Sequence, residues 1–148
     1  MGKIPVVGLV ERGGRARAIM MKRLTSKNMR EAILKHVDDS AWVMTDELPT
    51  YPSALRHTPL AKHHRTVNHS RREYVRGMAS TNTVEGFFSL LQRGVVGTYH
   101  HVSEQHLDNY LNEFCFRYDR RTMTDGERAA EAIKAAEGKR LTLKQPRA

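Results

Sequence analysis

The chain has 148 residues, 39% of them hydrophobic, which is enough for one compact domain and too few to argue for two. Lys and Arg number 25 against 16 Asp and Glu, a formal net charge of +9, and an excess of this size favours a polyanionic partner such as nucleic acid. No apolar run approaches the ~18 residues of a membrane span, no signal-peptide core opens the chain, and the lone Cys115 excludes an intramolecular disulfide framework, so a soluble protein of a reducing, cytoplasmic compartment is expected.

Residues 4–10 form a dense apolar run, interrupted by Pro5 and Gly8, that reads as a buried strand. Gly13 and Gly14 supply a hairpin turn, and residues 15–21 return as a second, antiparallel strand. Thr25 or Ser26 caps a helix running to about His36, with Met29, Ile33 and Val37 at helical spacing. A third strand over residues 41–45 ends at Asp46. Pro49, Pro52 and Pro59 then make an irregular stretch with one brief helix over residues 51–56. Residues 62–76 are rich in basic side chains and histidine, with Thr66 and Val67 as a short strand; Arg71, Arg72 and Arg76 around Tyr74 are the best candidates for phosphate contact.

A helix opens at Asn82, where Asn82 and Glu85 have capping-box spacing, and Gly94 is its expected stop. Val84, Phe87, Phe88 and Leu91 mark its apolar stripe, while Glu85 lines up with Ser89, Gln92 and Arg93 on the other face. His100 and His101 follow. A further helix from Ser103 carries Leu107, Tyr110, Leu111, Phe114 and Tyr118 on one face, with Cys115 among them as a core residue. Thr124 and Glu127 make another capping box, opening a small amphipathic helix that Gly138 ends before a basic tail.

Two acids have suggestive positions. Asp46 stands where a buried strand ends, a place at which α/β folds gather their sites, and Glu85 stands in the first turn of a helix able to lie against that sheet. Together they could hold a divalent cation through hard oxygen ligands. From spacing alone, two local caps explain these residues equally well. His57, His63, His64 and His69 lack the tight Cys and His pairing of zinc sites, and Gly13-Gly14 lacks either nucleotide fingerprint.

Several motifs, in order, carry a resemblance across nearly the whole chain. They are residues 6–14 (Val-Val-Gly-Leu-Val-Glu-Arg-Gly-Gly), Thr45-Asp-Glu47 with Tyr51, Thr66-Val-Asn-His69, Glu73-Tyr-Val75, residues 82–91 (Asn-Thr-Val-Glu-Gly-Phe-Phe-Ser-Leu-Leu), Arg93-Gly94, residues 97–103 (Gly-Thr-Tyr-His-His-Val-Ser) and Phe116-Arg-Tyr118. In these the chain resembles the DDE transposases of bacterial insertion sequences related to the eukaryotic Merlin elements.

The resemblance implies an α/β fold with a ribonuclease H-like mixed sheet flanked by helices, over residues 1–123, with residues 124–148 as a C-terminal helix and basic tail. It implies DNA cleavage and strand transfer at three acids holding two Mg²⁺ or Mn²⁺ ions. Asp46 matches the family's second acid and Glu85 its third; Asn82 shares the latter's motif, and Arg93 stands beside Gln92, the position where a lysine is often found. The implied partners are DNA, both transposon ends and target, and further copies of the chain, in a bacterial cytoplasm. Arg71, Arg72, Arg76, His100 and His101 are the DNA-contact candidates. The family's first acid lies on a strand preceding the region that begins here at Ile4, a strand placed centrally between the second strand and the one bearing Asp46. The expectation is therefore a truncated transposase, inactive by itself. The alternative is a non-catalytic basic nucleic-acid-binding protein.

Overall fold

The structure, a computed structural model, describes residues 4–68, 75, 76, 79–100 and 102–139, with the backbone path alone for Val75, Arg76 and Ala79. It opens on an antiparallel ribbon of β1 (Val6–Val10) and β2 (Ala16–Met20), paired Val7 to Ile19 and Leu9 to Arg17 and turned through Gly13 at φ 70°. The ribbon is a wall between two cores. Val7, Leu9, Ile19 and Met21 face one; Val6, Val10, Ala16, Ala18 and Met20 face the other. This two-residue alternation, apolar on both faces, is why the sequence shows a dense run where a half-solvated strand would alternate.

The first core is closed by two helices. α1 (Ser26–His36) starts at Thr25, whose side chain accepts from the Asn28 N–H, and it buries Met29, Ala32 and Ile33. α2 (Thr50–Leu55) lies against it, and Arg30 ties the two together by donating to the carbonyls of Ser53, Ala54 and Arg56. Three otherwise orphan acceptors at the end of a six-residue helix are satisfied by one guanidinium. Between these helices runs β3 (Val43–Thr45). A 3₁₀ turn (Pro59–His63) then delivers β4 (His64–Thr66), parallel to β3 with Thr45 opposite Thr66. A third pair, β5 (Val75–Arg76) and β6 (Ala79–Ser80), is a minimal antiparallel hairpin. The described strands thus form three separate two-stranded sheets in a mixed α/β arrangement, where one continuous mixed sheet was expected.

The second core is helical on its far side. α3 (Asn82–Gly94) buries Phe87 and Leu91, and α4 (Glu104–Asp119) buries Leu111 and Phe114. Two expectations about α3 are corrected. Its N-cap is Thr81, one residue before Asn82, so Glu85 does not close a capping box. Gly94 does not stop it either: its φ of −65° and ψ of −45° are helical, and the chain winds on through a π turn (Val95–Tyr99) to His100, which takes φ 56°. Glycine is needed at 94 for space. A Cβ there would run into the Phe114 ring, so α3 leaves no room for a side chain at Gly94 against α4. Gly94→Ala should therefore destabilise the protein by about 1–3 kcal/mol despite alanine's better helix propensity, because Phe114 is buried and cannot swing aside. Gly86→Ala, with nothing within 4 Å of its new methyl, should stabilise by about 0.5–1 kcal/mol; urea unfolding of both variants checks the contrast.

α5 (Asp125–Ala136) starts at the expected capping box, with Thr124 and Glu127 bonding reciprocally. Its apolar stripe is left in solvent, with Ile133 73% exposed. No helix among the described residues is long and apolar enough to cross a membrane.

Candidate functional site

A cleft of about 1180 Å³ runs between β1 and β3. Every residue of both strands lines it, with Ile33 of α1 and Phe88 of α3 on its flanks, and Asp46, Glu85 and Asp119 among its acids. The two acids singled out from sequence come to this cleft from different directions. Asp46 follows the last residue of β3, half-buried, and its Oδ1 accepts the Leu48 N–H at 3.1 Å. Glu85 projects from the first turn of α3, and its Oε1 accepts the Thr81 hydroxyl at 2.5 Å.

The neighbouring polar groups hold these acids in place. Thr81 is buried, so its hydroxyl is fixed where it meets Glu85. Thr45, also buried, donates its hydroxyl to the Asp46 carbonyl at 2.9 Å and meets His64 Nε2 at 2.8 Å. A hydroxyl has one proton to give, so His64 Nε2 carries the proton of that second bond. The chain His64–Thr45–Asp46 therefore links β4, β3 and the residue after it. Burial, and then the Arg65 charge, hold His64 below the usual imidazole range. Tyr51 of α2 lines the same cleft; burial first and the Asp46 carboxylate second push its phenol above the usual range.

His64 gives a pH signature. An unfolded His64 takes up its proton near pH ~6.5, whereas the folded one resists until lower pH, so the unfolded state binds more protons in that window. Stability should consequently fall as pH drops below about 6.5, and His64→Gln should flatten that part of the profile. Equal slopes for the two proteins in denaturation at stepped pH would sink this assignment.

Other sequence candidates are placed differently. Asn82 begins α3 and is exposed, accepting nothing from the cleft; its own N–H donates to Ser80 Oγ. Arg93 is exposed near the end of α3, some 12 Å along the helix axis from Glu85 at ~1.5 Å per residue. His100 is exposed after the π turn. Arg71, Arg72 and His101 lie outside the described residues, as does the side chain of Arg76. Thr81 and the Thr45–His64 bond were not legible as site features. The one hint was the run of hydroxyl-bearing residues around Asn82, any of which can cap a helix.

Hard carboxylate oxygens suit a Mg²⁺-class ion, which commonly takes one or two carboxylates and completes its shell with water and phosphate. Asp46 and Glu85 on one cleft fit that pattern. Among the described residues no group of three or more His, Cys, Asp or Glu side chains closes on a single point. Cys115 takes no part: the Ala18 N–H donates to its Sγ, and burial pushes its thiol up.

No curated protein and no solved structure matches the chain significantly. The sequence model described as the ISXO2-like transposase domain matches residues 1–119, which spans every element from β1 to the end of α4. The chain therefore belongs to the ISXO2-like transposase domain family, insertion-sequence transposases for which DNA is the general partner.

Proposed function

We propose that this chain carries part of the catalytic core of a DDE transposase on a ribonuclease H-like scaffold, cutting and joining DNA strands with Asp46 and Glu85 as ligands to Mg²⁺ or Mn²⁺. The observation that carries the reading is that these two acids, from separate elements, line one cleft beside a parallel strand pair. The antiparallel β1–β2 ribbon and the parallel β3–β4 pair support a mixed-sheet scaffold.

When bound, such an ion supplies positive charge at the phosphate and at the attacking and leaving oxygens. The chain's own groups do the positioning. Thr81 holds Glu85 by its hydroxyl, and the Leu48 N–H holds Asp46, so both carboxylates keep their orientation before an ion or DNA arrives. The His64–Thr45 bond braces the backbone after β3 against the pull of a bound cation. Arg93 lies too far along α3 to touch the same ion; in this reading its exposed guanidinium meets a DNA phosphate.

The formal charge of +9 favours a second reading, a non-catalytic nucleic-acid binder. Fluorescence anisotropy on a labelled DNA duplex separates the two. In the catalytic reading Mg²⁺ raises the affinity of the wild type and leaves that of an Asp46→Asn, Glu85→Gln double variant unchanged. Salt-dependent binding that is the same in both proteins, with no effect of metal, would establish the second reading instead.

A further inference from the structure

One part of the cleft wall is aromatic and cationic, at the other end of β3 from Asp46. Trp42, the residue before β3, lines the cleft and is 46% exposed, the one Phe, Tyr or Trp residue left exposed among the described residues. The alternation of the strand explains its direction. Val43 packs against the first core, so Trp42 and Met44 stand on the opposite side. Arg65 is paired with Met44 in the parallel ladder and shares that side, which brings its guanidinium to 4.6 Å from the indole centroid.

The indole is held in place as well as exposed. Arg65 Nη1 donates to the His64 carbonyl at 2.9 Å and to that of Lys62 at 3.4 Å, which fixes the guanidinium against one ring face. The His63 ring meets the indole edge-on, 5.1 Å away at 77°. Nearly half of the residue stays open all the same. A fixed aromatic plane beside the exposed cations Lys62 and Arg65 matches a nucleobase joined to its phosphate, the base supplying a π-face of any sequence and the backbone a negative charge. That base must be unpaired, because within a duplex both of its faces are already stacked. The other common user of an exposed Trp and Arg is a protein interface; the formal charge of +9 and the neighbouring cations favour the polyanion.

We propose that Trp42, braced by Arg65 and His63, is a stacking platform for one unpaired base of a DNA strand lying in the cleft, a contact to the base itself and separate from any phosphate contact or metal ligand. The proposal rests on DNA as the family's partner. It does not need Asp46 or Glu85 to bind an ion, so it is tested without metal and can fail while the metal-ligand reading survives, and the reverse.

The chain has one tryptophan, so its intrinsic emission reports on Trp42 alone. The full chain, free of metal, is titrated with a short oligothymidylate, with an abasic strand of the same length, and with the duplex of that oligothymidylate and its complement. Anisotropy of a label on each DNA reads binding, and indole emission reads stacking. The expected result is that oligothymidylate quenches the emission as it binds, whereas the abasic strand and the duplex bind with the emission little changed. Trp42→Ala should weaken oligothymidylate binding about tenfold and leave abasic-strand binding unchanged, and Trp42→Phe should keep most of the affinity. A merely structural role would lower both affinities together. The wild-type quenching stands as a test whether or not Trp42→Ala folds. Oligothymidylate binding without quenching would overturn the platform and leave DNA as the partner. Equal quenching by the abasic strand would assign the change to the backbone, and equal quenching by the duplex would remove the unpaired base; either overturns the proposal. So would the absence of binding to any of the three, or an emission shift that follows protein concentration without DNA, which would give Trp42 to a second copy.

Discussion

Phe87→Ala is expected to destabilise the protein by about 3–5 kcal/mol. Phe87 is fully buried and sits at the centre of the second core, edge-on to Tyr118 at 5.4 Å between ring centroids and to Phe88 at 5.8 Å. Its removal deletes apolar burial, forfeits two ring contacts and leaves a void between α3, α4 and the β1–β2 wall that neighbouring backbone cannot fill. Against a typical domain stability of about 5–15 kcal/mol, a loss of this size leaves the variant close to unfolding at room temperature. Ile133→Ala is the matched control. That side chain is 73% exposed on α5, so its change should stay within about 0.5 kcal/mol. Urea midpoints at unchanged slope measure both; a Phe87→Ala loss below about 1 kcal/mol would mean that the second core is not packed around this ring.

What was legible in the sequence divides along physical lines. Features that arise from neighbours in the chain were readable: the hairpin through Gly13, the Thr25 cap of α1, and the reciprocal Thr124–Glu127 box of α5. Features decided by a distant partner were not. Gly94 has the composition of a helix stop, and only the approach of Phe114 from α4 reveals that it is a point of close contact. Asn82 and Thr81 are both good caps by type; the structure chooses Thr81, whose hydroxyl goes to the Glu85 carboxylate and not to a backbone N–H. α5 has a stripe of apolar residues that periodicity would bury, yet nothing among the described residues covers it.

The candidate site shows the same division. Asp46 and Glu85 were identifiable because each stands at the end or beginning of an element, where side chains are accessible, and within quotable motifs. The support around them depends on pairing across elements. His64 reaches Thr45 only because β4 lies parallel to β3, and Tyr51 feels the Asp46 charge only because α2 brings it to the same cleft. Of the histidines that composition brings to notice, His64 is a half-buried brace behind the strand and His57 is exposed and takes φ 62° in a loop, while His69 lies outside the described residues.

The metal-ligand reading makes its sharpest prediction through isosteric substitutions. Asp46→Asn keeps an oxygen for the Leu48 N–H, and Glu85→Gln keeps one for the Thr81 hydroxyl, so both variants should fold with local hydrogen bonds intact. Each removes one negative charge from the cleft. If the two carboxylates share an ion, either change should weaken Mn²⁺ binding about tenfold or more, equivalent to about 1.4 kcal/mol. Thr81→Val, which removes the hydroxyl bond to Glu85 without altering charge, should cost less, and Asn82→Ala and Arg93→Ala should leave Mn²⁺ affinity unchanged because neither residue lines the cleft. The decisive quantity is the double variant. Groups bound to one ion act as a unit, so the combined loss should differ from the sum of the single losses by at least about 0.5 kcal/mol. Electron paramagnetic resonance titration of free Mn²⁺ reads all of these affinities directly. Strict additivity of the two substitutions, or no loss from either, would place Asp46 and Glu85 at independent positions and reduce their meeting in the cleft to two local hydrogen-bond arrangements, one after β3 and one at the start of α3.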